Sequence, residues 1–476
     1  MQFLHLALSL LTASTTVFAI EPLTIKGRKF FQNDTQFYVK GVAYQPQVDA
    51  EVTSTVIDPL ADANNKNCSN DAKLIRSLGG NSIRVYSVNA SLDHDYCMEA
   101  FKNESIYVFL DVANPSTGID RANPTWTLTQ YDSYKQVIDV FSKYNNTAGF
   151  FAGNEVVNNA TNAASAAYVR SVVRDLKSYI KSKNYRSIPV GYAGADIPVI
   201  RNELAAYLTC NATNTPQDNA TEADFLGYNN YEWCGDSNFY ASGYAARTNE
   251  LQNITVPIFF SEFGCNIIHP RIFTEVQAIY SKNMTDVWSG GIVYEFSEEV
   301  NGYGLVNITS TGERVKSVDF DNLKKQWATV NPEKVSKHSY QPLGNAPECP
   351  ARNETSWAVT FEAFPVTPNA SLCDDAVKNL RCSVNGDPEG AKIGQVFGEL
   401  CFYDQEACAD ITSDPYNGRY GKFSGCTGKQ QLSLALDAYT KHHGDDACSW
   451  GVYIAKLLLD NISPPRNKTV PPFIDV

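Results

Sequence analysis

Two hydrophobic patterns alternate along the chain between residues 37 and 296. Short apolar runs, rich in β-branched and aromatic residues, recur at 37–44 (FYVKGVAY), 82–88 (SIRVYSV), 107–112 (YVFLDV), 148–154 (AGFFAGN), 187–193 (SIPVGYA), 224–230 (DFLGYNN), 257–263 (PIFFSEF) and 290–296 (GGIVYEF). Near-continuous runs of this length suit strands buried on both faces. Between them NDAKLIRSLG, YDSYKQVIDVFSKY, AASAAYVRSVVRDLKSYIKSK and RIFTEVQAIYSK carry apolar residues three and four positions apart, which predicts helices with one buried face. Eight strands alternating with helices predict an α/β fold, a (β/α)8 TIM barrel. An open doubly wound sheet is the competing arrangement, but it calls for a glycine-rich phosphate loop after an early strand, and the sequence has none.

The alternation stops near residue 315. Residues 1–19 read as a signal peptide, an apolar segment ending in Val17-Phe18-Ala19, although only His5 precedes the run where a Lys or Arg is usual. The barrel is expected over 20–320, and 321–370, with scattered Pro, Ser, Asn and His, as a connector packed on it. Six cysteines, Cys373, Cys382, Cys401, Cys408, Cys426 and Cys448, then fall close together, predicting a small disulfide-rich module over 371–462 that needs staples because it buries little apolar surface. Residues 463–476 read as a flexible tail.

Composition narrows the chemistry. The chain has 476 residues, a formal net charge of −13 and a pI near 5.0, which excludes a phosphate-binding surface and so nucleic acid; a neutral or cationic ligand is expected. Asn-x-Ser/Thr sequons recur, at Asn33, Asn89, Asn145, Asn253, Asn353 and Asn369 among others. With 12 cysteines, an even number with none in the leader, the chain reads as secreted and oxidised. There is no C-x-x-C pair and no H-x-x-x-H face, so no metal and no cofactor are expected.

In such a barrel, chemistry gathers at the carboxyl ends of the strands. Asn154 and Glu155 follow the fourth run and Glu262 ends the seventh, across the mouth from it. Two carboxylates facing over a cleft are equipment for breaking a glycosidic bond, one protonating the leaving oxygen and the other attacking or activating water. Asn154 beside Glu155 suits a contact to a sugar 2-hydroxyl, so Glu155 reads as acid/base and Glu262 as nucleophile. Tyr231 and Tyr294 stand where a phenol can hold a carboxylate ionised, stack on a sugar or simply pack. Arg84, Tyr86 and Asp111 fit a polar network under the site, and Glu298-Glu299 a solvated loop.

The stretches YQP (44–46), NSIRVYSVN, LDVANP, AGNEVVN, YNNYEWCG, SEFGCN and GGIVYEFSEEVNGYGLV resemble the fungal β-1,3-glucanosyltransferases of glycoside hydrolase family 72, the Gas/Gel/Phr type, over residues 20–320. The cysteine-rich segment resembles an X8-type (family 43) carbohydrate-binding module, mainly helical. The resemblance implies a retaining transferase that cleaves β-1,3-glucan internally and joins the fragment to the non-reducing end of another β-1,3-glucan, elongating cell-wall glucan. It implies acid/base Glu155, nucleophile Glu262, and Gln45, Tyr86, Asp111, Asn154, Tyr231 and Tyr294 lining the sugar subsites. It also implies disulfides Cys68–Cys97, Cys210–Cys349 and Cys234–Cys265; in the module, Cys373–Cys426, Cys382–Cys448 and Cys401–Cys408 are the expected pairs. A monomer that meets donor and acceptor β-1,3-glucan at the cell surface or in the wall is expected. The polar, proline-rich ending carries no apolar run, so wall retention is expected through the module, with Phe402, Tyr403 and Tyr416 either glucan-binding or core, and not through a GPI anchor. A retaining endo-β-1,3-glucanase and a non-catalytic glucan-binding wall protein are the alternatives.

Overall fold

The computed structural model describes residues 20–45, 57–62, 66–211, 221–387, 390–445 and 447–448; the leader at 1–19, the module beyond 448 and the tail at 463–476 lie outside them. The described chain begins in a three-stranded antiparallel meander, β1 (Leu23–Lys26), β2 (Lys29–Gln32) and β3 (Thr35–Phe37). Its tight turns fall at Gly27 and Asn33, both with positive φ. The meander inserts Phe30 among Phe109, Phe225 and Phe259, with ring centroids 5.9–6.1 Å apart. An aromatic plug so closes the amino-terminal end of the barrel.

The eight apolar runs are the eight parallel strands: β4 (Val39–Ala43), β5 (Ser82–Val85), β6 (Tyr107–Asp111), β7 (Thr147–Asn154), β8 (Val190–Ala195), β9 (Leu226–Asn229), β10 (Ile258–Phe263) and β11 (Trp288–Val293). They form a closed barrel in chain order, with β11 pairing back onto β4. Almost every strand residue is buried, as a sheet covered on both faces requires. Closure depends on Gly290, whose φ is 103° and where a Cβ would stand 2.1 Å from the Val39 carbonyl oxygen.

Helices α1 (Cys68–Leu78), α2 (Asp95–Asn103), α3 (Leu128–Phe141), α4 (Ser165–Ser182), α5 (Arg201–Thr209) and α6 (Tyr244–Glu250) form the outer layer. Their apolar stripes face the strands; α1 buries Ala72, Ile75 and Leu78, and stops at Gly79 in the left-handed region. RIFTEVQAIYSK is not one helix. It holds α7 (Glu275–Ile279), five residues long, and the start of α8 (Lys282–Thr285), because Phe273 takes φ 52° and Ser281 is extended. After the hairpin β12 (Val306–Ile308) and β13 (Arg314–Lys316), helix α9 (Val318–Thr329) runs past residue 320 and buries Phe320, Leu323 and Trp327 in the main core.

The connector lies along the barrel. Tyr207 Oη donates to the Thr360 carbonyl (3.0 Å), Thr367 Oγ1 to Asp175 (2.7 Å), and Cys210–Cys349 joins it to the end of α5. The module contains α10 (Ala370–Val377), α11 (Gly390–Tyr403), the short pair β14 (Ser413–Asp414) and β15 (Arg419–Tyr420), and α12 (Gly428–His443). Val396, Leu400, Ile411, Leu432 and Leu436 make its small core, stapled by Cys373–Cys426, Cys382–Cys448 and Cys401–Cys408. It docks on the barrel through Leu128, which packs on Cys373 and Cys426 and gives its N–H to the Gly425 carbonyl (2.8 Å).

Candidate active site

At the carboxyl end of the barrel, Arg84 at the third position of β5 is fully buried, with its guanidinium between the rings of Tyr86 (4.3 Å) and Phe151 (4.4 Å). It donates to Asp111 Oδ2 (2.9 Å), Asn154 Oδ1 (2.9 Å) and Glu262 Oε1 (3.3 Å), so one cation draws together the ends of β6, β7 and β10. Burial alone depresses the guanidinium, but Asp111, Tyr86 and Glu262 outweigh it and hold it above its ordinary range. The cluster keeps its positive charge.

Glu262, buried at the end of β10, receives two further hydrogen bonds. Tyr231 Oη donates to its Oε2 (2.8 Å) and Tyr86 Oη to its Oε1 (3.0 Å). Burial pushes the Glu262 carboxyl up; Arg84 and the two phenols oppose this, and Glu155 adds to it. Both phenols are themselves driven upward by burial and by the Glu262 charge, so they remain donors. Three donors, from Arg84, Tyr86 and Tyr231, thus fix both oxygens of the Glu262 carboxyl in place. The disulfide Cys234–Cys265 fastens together the loops that follow Tyr231 and Glu262.

Glu155 stands one residue past β7 with φ 49°, in the left-handed region that a non-glycine residue occupies at a cost of about 1 kcal/mol. The turn is held by its N–H on the Ala193 carbonyl (2.8 Å). Its Oε1 accepts from Asn229 Nδ2 (2.9 Å), which also reaches Asn154 Oδ1 (3.0 Å), while Asn229 Oδ1 accepts from Ser261 Oγ (2.7 Å). Asn154 Oδ1 is thus occupied by Arg84 and Asn229, and its amide nitrogen has no hydrogen-bond acceptor among the described residues.

All eight site residues expected from sequence gather at this end of the barrel, with different contacts. Tyr86 and Tyr231 reach Glu262, whereas Tyr294 does not; its hydroxyl accepts from Gln45 Nε2 (3.1 Å) and its ring meets Tyr303 edge-on at 5.2 Å. Sequence reasoning passed over Asn229, although it is a polar residue ending an apolar run like the others, and Glu295, which is fully buried beside Tyr294. Glu298 and Glu299 are half-buried, and Glu298 packs on Gly304. Phe402 and Tyr403 are exposed on α11 and meet edge-on, while Tyr416, also exposed, donates to the Thr161 carbonyl (3.1 Å) and so touches the barrel.

Comparison with known proteins converges on one family. The glucanosyltransferase family model matches residues 12–331 and the X8 domain model residues 380–452. The chain is 69% identical over 449 residues to a Schizosaccharomyces pombe protein, 1,3-beta-glucanosyltransferase gas2, covering 94% of this chain and 98% of that one. It is 39% identical over 452 residues to the Saccharomyces cerevisiae 1,3-beta-glucanosyltransferase GAS2, covering 91% and 79%. A solved structure of Saccharomyces cerevisiae Gas2p in complex with laminaripentaose superposes with a TM-score of 0.81 at 39% identity, covering 89% of this chain and 94% of that one.

Proposed function

The chain belongs to the glucanosyltransferase family, and from that premise we propose that it is a retaining β-1,3-glucanosyltransferase in which Glu262 is the nucleophile and Glu155 the acid/base. The convergence of Arg84, Tyr86 and Tyr231 on Glu262, with Asn229 bridging Asn154 and Glu155, carries this reading. In the first step Glu262 forms an ester with C1 of a glucose unit inside a β-1,3-glucan. The glycosidic C1–O bond breaks and the Glu155 proton goes to the departing oxygen. In the second, ionised Glu155 takes the proton of a 3-hydroxyl at the non-reducing end of an acceptor glucan. That oxygen displaces Glu262 from C1, and the new β-1,3 linkage keeps the original configuration.

Asn154, whose amide nitrogen has no acceptor among the described residues, suits the sugar 2-hydroxyl, and Gln45, Asp111 and Tyr294 complete the walls. All these groups come from one chain, which supports action as a monomer. Exposed sequon asparagines at 33, 89, 145, 253, 353 and 369 support export to the cell surface, and the adjacent exposed rings of Phe402 and Tyr403 support retention on wall glucan through the module. No helix among the described residues is long and apolar enough to cross a membrane.

The test is a mass profile of products from a reduced β-1,3-gluco-oligosaccharide of defined length. Products longer than the starting material are expected. Only shorter products would make water the acceptor and the protein a hydrolase, and no products would leave a glucan-binding protein.

A further inference from the structure

Besides Glu155, Glu262 and the Arg84-bound Asp111, this end of the barrel holds a further buried carboxylate that pairs with no cation among the described residues. Glu295, two residues past β11, is fully buried and sits behind the cleft wall formed by Gln45 and Tyr294. Its Oε1 accepts from Asn301 Nδ2 (3.0 Å) and its Oε2 from Gln45 Nε2 (3.2 Å). Asn301 cannot turn its amide without loss, because its own Oδ1 accepts from the Tyr303 N–H (3.2 Å). Gln45 Nε2 has a second acceptor in Tyr294 Oη, so both of its hydrogens are engaged. Among the described residues no group donates to Gln45 Oε1, and the side chain is half-buried at the cleft.

A side-chain amide is a two-faced group, with donors on one side and an acceptor on the other. Left alone beside Tyr294, whose hydroxyl donates as well as it accepts, Gln45 would have no fixed face. A carboxylate only accepts, and it removes that freedom.

We propose that Glu295 is a positioning residue for sugar recognition: it holds the Gln45 amide with its nitrogen turned inward, so that Oε1 is offered to a hydroxyl of the bound glucan. Asn154 is pinned in the opposite sense by Arg84 and Asn229, with its nitrogen outward. The cleft therefore presents one fixed acceptor and one fixed donor, which two rotating amides would not.

Burial pushes the Glu295 carboxyl up to about 7, with Asn301 and Gln45 opposing and Glu299 and Glu262 adding to the rise. From the neighbouring loop Arg271 Nη1 donates to the Tyr294 carbonyl (2.7 Å) and Nη2 to the Tyr303 carbonyl (2.5 Å), fixing the strands of chain on either side. The anion is the form these donors fit, so the assay belongs at pH 8.

The inference rests on the transfer reading above, and its test is steady-state kinetics at pH 8 on the intact protein with the reduced oligosaccharide. Glu295→Gln can meet Gln45 with either face of its new amide; it is expected to raise KM about tenfold and to change kcat less than about threefold, the scale of one charge-assisted hydrogen bond. The exchange variant, Gln45→Glu with Glu295→Gln, again joins an amide to a carboxylate and still offers an acceptor oxygen. It should return KM to within about threefold of wild type. A wild-type KM in Glu295→Gln overturns the proposal, and so does an exchange variant no better than Glu295→Gln. If Glu295→Gln alone fails to fold, the KM of the folded exchange variant decides by the same threshold. Turnover surviving in Glu262→Gln would sink the nucleophile assignment without touching this one, because KM is read in enzymes that keep both catalytic carboxylates.

Discussion

At its amino-terminal end the barrel is filled with carbon: Phe30, Phe109, Phe225 and Phe259 meet edge to face or tilted, with no charged group among them. At its carboxyl end, Arg84, Asp111, Glu155, Glu262 and Glu295 crowd the same strands. Phe151 stands between, packing on Phe109, Phe225 and Phe259 below and under the Arg84 guanidinium above. The apolar end supplies the stability that buried charge at the other end costs. It also gives Arg84 a low-dielectric floor, on which its attraction for Glu262 is stronger than in water.

If that division holds, the two ends fail differently when cut. Glu262→Gln is expected to lower kcat by about six orders of magnitude, the scale seen when a covalent nucleophile is removed, while the thermal midpoint stays or rises, because burial outweighs Arg84 at this carboxylate and Arg84 keeps Asp111 as its counter-ion. A thermal collapse in that variant would mean that the charge cluster is part of the frame. Phe30→Ala should do the reverse, costing about 3–5 kcal/mol of unfolding free energy with KM and kcat within about twofold of wild type. A large loss of kcat in folded Phe30→Ala would show that the plug reaches the chemistry.

Glu275 sharpens the contrast because it is a buried charge outside the cleft, at the start of α7. Burial pushes its carboxyl up to about 7. A carboxyl with a raised folded pKa binds its proton more tightly in the native state, so it favours the fold below the unfolded value and loses that contribution as pH rises through about 7. Glu275→Gln should therefore flatten the fall in thermal midpoint between about pH 4.5 and 7, and stabilise the protein at pH 8 by as much as about 3 kcal/mol, with turnover unchanged. A midpoint at pH 8 equal to wild type would mean that Glu275 ionises without penalty.

The same division explains what the sequence made legible. A polar residue closing an apolar run stands out, and Glu155, Glu262 and Asn154 were found that way. The eight-stranded barrel followed from run length and helical spacing alone. Glu295 was hidden because Tyr294 drew attention in front of it and the pair Glu298-Glu299 behind it, and nothing in one dimension tells a buried carboxylate from a wet one. The plug escaped for another reason: β1 to β3 are only three or four residues long, and the run assigned to the first barrel strand absorbed Phe37. RIFTEVQAIYSK has helical spacing, but the left-handed turn at Phe273 and the extended Ser281 are set by its neighbours in the barrel. Whether the phenols would serve Glu262 or Gln45 depended on side-chain directions that strand order does not give.

The disulfide Cys210–Cys349 spans 139 residues, against 29 for Cys68–Cys97 and 31 for Cys234–Cys265. As the polypeptide emerges from the ribosome, Cys210 has to wait while Cys234 and Cys265 pass, and either is an available wrong partner. The correct outcome depends on Cys234 and Cys265 finding each other first, which the pairing of β9 with β10 encourages. Assembly therefore favours an order within the barrel: the wall that carries Tyr231 and Glu262 can be sealed before Cys349 arrives to tie the strap that fastens the connector.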